Sequence, residues 1–319
     1  MPKLIAAVEG GGTTFKVALC DASSGEILHK RSVDAEDPAT TLTRCALFLQ
    51  AHSTDIVALG IATFGPIGIH PSNTETYGRV LESSPKRTWR GVDVLTPLRE
   101  ACGNNNNIPV LLDTDVNAPA AAEYAQANRE KENRSISSCA YITVGTGVGV
   151  GLVVNHKTVH GILHPEGGHV PVPPLPADLF GGYSWGTNAS LPYAGVNTVE
   201  ALASSVALME RHQQQTAMGE TKDAIDRSRL RDVSDESEIW DHAANALASL
   251  CTTLLLTLSI ERIVLGGGVM NRPILLGKIQ KRTAELLNNY IALDTTGSVD
   301  NEAALMDIIR LSKHGDDAG

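Results

Sequence analysis

The sequence predicts an α/β protein that contains two similar lobes. Its 319 residues, 42% of them hydrophobic, exceed the size of one average domain. Predicted strands and helical segments follow one another along the chain. A unit of strand, glycine- and threonine-rich turn and returning strand occurs twice, at residues 4–20 and 140–154. This repeat indicates internal duplication, so we expect two like lobes that bind opposite ends of one polyphosphate.

The boundary between the lobes is predicted near Asn117. The smaller N-terminal lobe comprises residues 1–117, and the larger C-terminal lobe comprises residues 118–299. Residues from about 300 to 319 are predicted to form a helix that completes the first lobe.

Charge and segment length argue against several classes of function. The formal net charge of −10 disfavours nucleic acid or an anionic membrane as the main partner. The first apolar run, residues 4–8, is too short for a signal peptide, and no later run reaches membrane-spanning length. Five scattered cysteines without a C-x-x-C spacing favour reduced thiols over disulfides or a metal site. We therefore expect a soluble, cytoplasmic protein.

Three glycine-rich turns are candidate phosphate sites. They lie at residues 9–14, 145–149 and 266–268, each directly after a predicted strand. Glycine lets backbone N–H groups approach an anion, and the threonines of the first two turns add hydroxyl donors. For the first turn, the alternative is a hairpin whose glycines only supply positive φ. The third turn precedes a helix and suits the adenosine half of a nucleotide.

Asp115 is the candidate catalytic base. It follows the apolar run of residues 110–112 and precedes a helical segment, and side chains at such strand ends face the ligand crevice of parallel sheets. Its carboxylate can accept a proton from a hydroxyl. Asp113 is the rival carboxylate, and only one of the pair is expected to enter the ligand crevice. The alternative is helix capping, because Asp, Thr and Asn before a helix with Pro119 in its first turn are common caps.

The segment from His164 to His169 contains two histidines and a glutamate. A zinc-protease helix would place both histidines on one face, but Pro165 and the Gly167–Gly168 pair oppose a helix. We therefore expect a loop whose carboxylate and imidazole groups hydrogen-bond to a polyol.

Eight motifs occur in order along nearly the whole chain, and together they resemble the ROK family of sugar kinases, in its bacterial-type fructokinase branch. They are residues 9–13, 64–66, 77–78, 84–86 with Trp89, 114–117, 141–147, 164–169 and 265–270.

The resemblance implies two ribonuclease-H-like lobes of the actin/hexokinase type around a central nucleotide and sugar cleft. It also implies ATP and Mg²⁺ as cofactors and transfer of a phosphoryl group to D-fructose, with Asp115 as the base. The implied ATP- and phosphate-binding residues are Glu9, Gly11, Gly12, Thr13, Thr14, Gly145, Thr146, Gly147, Gly266, Gly267, Gly268 and Val269. The implied sugar-binding residues are Gly65, Pro66, Thr114, Asp115, Glu166, His169 and Glu200.

The chain departs from the family in three places. Thr14 stands where the family has lysine, and Lys16 is expected to substitute in part. Residues 297–305 match the family only loosely. Of the four zinc ligands found in many relatives, only His169 is present, and residues 191–197 lack the thiol and imidazole ligands, so we predict no structural zinc. Phe180, Tyr183 and Trp185 are expected to pack in place of the metal; the alternative is an exposed, mobile loop.

The sequence is also compatible with other functions. Mannose, glucose or N-acetylmannosamine are alternative acceptors. A non-catalytic sugar-sensing protein is a further alternative, although the first turn begins at residue 9 and leaves no room before it for a helix-turn-helix. A homodimer is expected.

Overall fold

A computed structural model describes residues 2–103, 107–130, 135–184, 191–216, 227–288, 290 and 308–313. The chain divides into two compact units. Unit 1 contains Met1–Ala118 and Gly161–His164, and unit 2 contains Pro119–His160 and Pro165–Ala318. Each unit has an α/β architecture built on one mixed, five-stranded sheet.

The sheet of unit 1 has the strand order β3-β2-β1-β4-β5. The first three strands pair antiparallel, and β1, β4 and β5 run parallel. The elements are β1 (Leu4–Gly10), β2 (Thr14–Asp21), β3 (Ile27–Asp34), α1 (Pro38–Gln50), β4 (Ile56–Thr63), α2 (Leu95–Ala101) and β5 (Val110–Thr114). A short 3-10 turn, Arg87–Trp89, precedes α2.

Local chemistry explains how unit 1 is assembled. Strand β1 buries every second residue, as an amphipathic strand should. Helix α1 begins where the Asp37 side chain accepts a hydrogen bond from the Thr40 N–H (3.0 Å), with Pro38 in its first turn. Phe15 and Trp89 stack with ring centroids 5.1 Å apart in the core. These buried rings fix the loop around Trp89 against the first hairpin.

The sheet of unit 2 has the strand order β10-β9-β6-β7-β8. Its strands are β6 (Cys139–Val144), β7 (Val148–Val154), β8 (Lys157–Thr158), β9 (Ile263–Gly266) and β10 (Ile309–Leu311). Its helices are α3 (Asn117–Arg129, beginning at the unit boundary), α4 (Val199–Ala203), α5 (Ser205–Thr216), α6 (Ile239–Leu258) and α7 (Pro273–Leu287). The apolar helix α6 lies in the main core of this unit.

Both sheets have the same topology. Read as β8-β7-β6-β9-β10, the second sheet repeats the order of the first. The directions also agree, because β6, β7 and β8 pair antiparallel while β6, β9 and β10 run parallel. The duplication that was predicted from the two glycine turns is therefore present in the described strands.

Strand β10 corrects the prediction for the C-terminus. Residues 309–311 pair with β9, with Ile309 opposite Ile263, and they lie in unit 2. The helix predicted for about 300–319 therefore does not extend over residues 309–313, whereas Ile308 is helical and residues 300–307 and 314–319 lie outside the described residues. A three-residue strand has too little periodicity to be recognised from sequence, and it forms here because it supplies the fifth strand of the second copy. The predicted lobe limits stay a prediction.

The described helices include none that is both long and apolar enough to cross a membrane. All five cysteines are free thiols, and four of them are buried.

Candidate functional site

Three strand ends of unit 1 lie side by side. Gly10 of β1 pairs with Thr63 of β4, and Thr63 pairs with Thr114 of β5. Two hydrogen bonds continue this alignment past the strands, from Phe64 N–H to the Gly10 carbonyl (2.8 Å) and from Asp115 N–H to the Thr63 carbonyl (3.0 Å). The first glycine turn, the segment after β4 and Asp115 therefore share the carboxyl edge of one parallel sheet region, where ligands bind in such folds.

The glycines of the first turn permit close approach. The Gly11 N–H donates to the Thr14 carbonyl (3.0 Å) and closes the turn. A Cβ on Gly10 would lie 2.4 Å from Thr63 Oγ1 and 2.9 Å from the Phe15 ring. None of Gly10, Gly11 or Gly12 has φ in the left-handed region. The alternative interpretation, a hairpin whose glycines only supply positive φ, is therefore wrong for this turn.

Thr114 forms the helix cap at the end of β5. It is fully buried, and its Oγ1 accepts a hydrogen bond from the Asn117 N–H (3.1 Å) at the start of α3. Asp113 is also buried, and its Oδ1 accepts from the Thr114 N–H (2.7 Å), whereas Asp115 is partly exposed. The capping interpretation thus applies to Thr114. The two carboxylates differ in burial because β5 ends at Thr114, whereas residues two apart within a strand would share one face. The sugar-binding role of Thr114 stays a prediction.

The segment after β4 is held by neighbouring loops of unit 1. Gly65 and Pro66 are joined by a cis peptide bond. The Gly65 carbonyl accepts from Ser84 Oγ (3.2 Å), and the Pro66 carbonyl accepts from the Leu81 N–H (2.8 Å). A Cβ on Gly65 would lie 2.4 Å from Nε2 of the buried His164, so a larger residue there would have to displace that imidazole. The predicted contacts of Gly65 and Pro66 with sugar are not tested by these distances.

Lys86 also lies at this edge of unit 1, although the sequence predicts no role for it. Its Nζ donates a hydrogen bond to the Gly12 carbonyl and lies 4.1 Å from the centroid of the Phe64 ring. The only sequence signal was its place in the Ser84–Lys86 motif, which says nothing about the distant turn that it contacts.

The second and third glycine turns are neighbours in unit 2. Thr143 at the end of β6 pairs with Gly266 at the end of the parallel strand β9. Gly267 has φ of 88°, and a Cβ there would lie 2.6 Å from the Val144 carbonyl oxygen, so glycine is required. A Cβ on Gly145 or Gly268 would meet nothing within 4 Å. The two turns thus present open backbone at one sheet edge, which suits an anionic ligand.

Glu200 anchors the second turn. Helix α4 begins where Thr198 Oγ1 accepts from the Ala201 N–H (3.2 Å), and this places the Glu200 side chain toward β7. Its Oε2 accepts from the Val148 N–H (3.1 Å), and its Oε1 accepts from Ser184 Oγ. The carboxylate is buried and holds the turn in place; its predicted contact with sugar stays a prediction.

The segment from His164 to His169 contains one 3-10 turn, Gly167–His169, instead of a metalloprotease helix. A Cβ on Gly168 would lie 1.8 Å from the Val148 carbonyl oxygen, so the glycine lets this turn contact β7. His169 Nε2 lies 4.0 Å from Glu166 Oε2. The two predicted sugar ligands are therefore adjacent in unit 2.

A buried ion-pair network fixes the loop before α4. Asp178 accepts two hydrogen bonds from Arg211 of α5, each 2.8 Å long, and lies 2.9 Å from Nδ1 of His242 of α6. The Arg211 guanidinium lies 4.4 Å from the centroid of the Phe180 ring. Phe180 also packs against the core of unit 2, while Trp185 lies outside the described residues. The ion pairs of Asp178 and the contact of Phe180 with Arg211 therefore connect this loop to α5 and α6.

Comparison with known proteins identifies similar chains. The model of the ROK family matches residues 5–319. A fructokinase of Zymomonas mobilis is 33% identical over 294 residues, which are 90% of this chain and 87% of the relative. An N-acetylmannosamine kinase of Vibrio vulnificus (strain CMCP6) is 30% identical over 83% of each chain. The solved ROK hexokinase of Thermus thermophilus has a TM-score of 0.68 at 20% identity, covering 99% of this chain and 94% of that one. The structural match confirms the predicted α/β fold of the actin/hexokinase type.

Proposed function

Because this chain belongs to the ROK family, we propose that it is an ATP-dependent hexose kinase that converts D-fructose to D-fructose 6-phosphate. One observation carries the proposal. The carboxyl edge of β1, β4 and β5 places the first glycine turn and Asp115 on adjacent strand ends. A phosphate-binding turn beside a partly exposed carboxylate is the arrangement that transfer from a nucleotide to a hydroxyl needs.

Asp115 acts as the general base in this proposal. A sugar hydroxyl oxygen forms a bond to the γ-phosphorus of ATP, while the bond from that phosphorus to the β,γ-bridging oxygen breaks. The bonding electron pair leaves with ADP, and the hydroxyl proton passes to the Asp115 carboxylate. Aspartate is ordinarily ionised at neutral pH and is ready to accept it.

The three glycine turns are the proposed nucleotide site. The first binds phosphate oxygens with Gly11, Gly12, Thr13 and Thr14; the second and third bind the rest of the nucleotide with residues 145–147 and 266–269. Mg²⁺ would be held mainly by the phosphates, as is usual for this ion, and would neutralise their charge. Glu9 is the candidate protein carboxylate, because it lies near the end of β1, beside the first glycine turn, where its Oε2 is 3.3 Å from Lys16 Nζ.

The proposed sugar ligands are Glu166, His169 and Glu200 together with Gly65, Pro66, Thr114 and Asp115. Fructose is the preferred acceptor because the fructokinase relative matches the larger share of the chain. Mannose and glucose are alternative acceptors, and the N-acetylmannosamine kinase relative supports that amino sugar as a second candidate. We further propose that the protein is cytoplasmic and forms a homodimer. Light scattering of the purified protein would test the dimer.

An ADP-release assay with fructose, mannose, glucose and N-acetylmannosamine tests the proposal. We expect the highest kcat/KM with fructose. Turnover of N-acetylmannosamine alone would reassign the substrate, and no turnover of any sugar would overturn the proposed activity.

Replacing Asp115 tests the assignment of the base. Asp115→Asn should lower kcat by about 10²–10⁴-fold, since general-base removal typically has this effect, while binding of a non-hydrolysable ATP analogue is retained. Asp113→Asn is the matched control and should keep turnover within about tenfold of wild type, because Asp113 is buried against the Thr114 N–H. Similar losses in both variants would contradict the assignment.

A further inference from the structure

The first glycine turn lacks a lysine at position 14, and the structure shows which cation lies beside it. Lys16 was expected to substitute in part. However, Lys16 lies opposite Glu9 in the β1–β2 pairing, and its Nζ is 3.3 Å from Glu9 Oε2. The cation nearest in sequence therefore forms an ion pair on the hairpin.

Lys86 brings a second cation to the turn from a distant loop. Its Nζ donates to the Gly12 carbonyl, although 74 positions separate the two residues in the sequence. The same ammonium group lies over the Phe64 ring at 4.1 Å. Phe64 and Asp115 occupy neighbouring strand ends, so Lys86 reaches the edge that carries the proposed base.

The backbone of Lys86 is held in place by unit 1. Its N–H donates to Ser84 Oγ (3.3 Å), which in turn donates to the Gly65 carbonyl (3.2 Å). The Ser84 carbonyl accepts from Arg90 Nε (2.8 Å), and Trp89 is buried against Phe15. The lysine thus extends from a fixed base, as a group with a defined position requires.

The electrostatic surroundings couple Lys86 to the base. Burial lowers the pKa of Lys86 below its ordinary value, and the negative charge of Asp115 opposes this decrease. The ammonium group has three N–H donors, so the bond to Gly12 leaves donors available for a ligand.

We propose that the ammonium group of Lys86 contacts the phosphoryl group during transfer and supplies the positive charge that position 14 lacks. This inference rests on the proposed kinase function. The ammonium group neutralises negative charge on the non-bridging oxygens of the γ-phosphoryl group and transfers no proton, because Asp115 takes the hydroxyl proton. The competing explanation is structural: Lys86 would only fasten its loop to the first turn.

Nucleotide binding separates these explanations without any sugar. Calorimetry with AMPPNP and with ADP is carried out on wild type, Lys86→Met and Lys16→Met. If Lys86 contacts the terminal phosphoryl group, Lys86→Met should weaken AMPPNP binding by about tenfold or more, because a hydrogen bond to a charged group is lost. ADP lacks that phosphoryl group, so its binding should weaken far less. Equal weakening for both nucleotides, or none, would overturn the proposal. So would a larger selective effect in Lys16→Met.

Kinetics provide the second readout. Lys86→Met should lower kcat by about 10²–10³-fold, as removal of one charge-stabilising donor does, with sugar KM and melting temperature nearly unchanged. Lys86→Arg keeps the charge and should recover part of the loss. If Lys86→Met does not fold, Lys86→Arg still tests the proposal. A kcat near that of wild type with a retained preference for AMPPNP over ADP supports the contact, and loss of both the kcat and the preference overturns it. Wild-type protein that binds AMPPNP but phosphorylates no sugar would contradict the proposed function alone.

Discussion

At the scale of single residues, Gly168 shows how the absence of a Cβ positions the neighbouring imidazole of His169. The 3-10 turn that ends in His169 contacts β7 so closely that a Cβ on Gly168 would lie 1.8 Å from the Val148 carbonyl oxygen. The obstructing atom belongs to the backbone of a buried strand, which cannot move aside as a flexible side chain can. Any larger residue must therefore displace the turn and the adjacent His169.

Gly168→Ala is predicted to destabilise the protein by about 1–3 kcal/mol, as overpacking usually does, and to raise the KM for sugar. Thermal melts and initial rates measure both effects. Gly277→Ala is the control, because Gly277 is exposed within α7 and a Cβ there meets nothing within 4 Å. That variant should be neutral or more stable by up to about 1 kcal/mol. Equal melting temperatures for the two variants would refute the steric explanation.

At the scale of secondary-structure elements, Asp178 connects a loop to two helices. Its carboxylate forms ion pairs with Arg211 of α5 and His242 of α6. The Asp178 and Arg211 side chains are only 5% and 4% exposed. Burial by itself would raise the pKa of Asp178, but hydrogen bonds from Arg211 and the Phe180 N–H, with the nearby charges, hold it below its ordinary value. The network therefore depends on an ionised carboxylate.

Asp178→Ala is expected to reduce the free energy of unfolding by about 3–5 kcal/mol, because it leaves the Arg211 charge buried and unpaired. Urea unfolding followed by fluorescence measures the change. The exposed pair of Glu36 and Arg44 provides the comparison, and Glu36→Ala should have an effect of about 1 kcal/mol or less. A small effect at Asp178 would show that the loop is ordered by other contacts.

The same network predicts a dependence of stability on pH. Burial, followed by the charge of Arg211, lowers the pKa of His242 below 6.5, and Asp178 and Glu238 oppose this shift only in part. The unfolded chain therefore binds the proton more readily, so stability falls as pH decreases below about 6.5. The lowered pKa of Asp178 adds a further loss only below about 4.

His242→Gln should flatten the decrease in melting temperature between pH 7 and pH 5. His29→Gln replaces an exposed histidine of β3 and should keep the wild-type dependence. If both variants follow the wild-type curve, His242 is not the group responsible.

At the scale of the whole molecule, the two sheets repeat one topology but carry different chemistry. Asp115 follows β5, and its N–H donates to the Thr63 carbonyl. Ser312 follows β10, and its N–H donates to the Leu265 carbonyl (2.8 Å) in the corresponding place. Ser312 Oγ donates to Glu123 Oε1 (2.6 Å). The duplicated fold thus places a carboxylate at this position in the first copy and a hydroxyl group in the second.

The absence of structural zinc stays a prediction for the whole chain. Purified protein should contain far less than one zinc per chain, and chelator should leave its melting temperature unchanged, because three of the four expected ligands are missing from the sequence. Elemental analysis without added metal, with a melt in excess chelator, measures both. Stoichiometric zinc would refute the prediction.

The sequence by itself determined the two units of strand, glycine turn and returning strand, and the position of Asp115 after β5. These features are local, because alternation of apolar residues, glycine runs and capping residues act within a few positions of the chain.

Only the tertiary structure decided which distant residues meet. Lys86 at the Gly12 carbonyl, Asp178 between Arg211 and His242, and β10 beside β9 all join segments far apart in the chain. The sequence contains no local sign of these contacts, since each depends on how complete elements pack and which edge of a sheet remains unpaired. The same reason explains why the sequence located Asp115 at the end of β5 but predicted no role for Lys86, whose contact with Gly12 joins two distant segments.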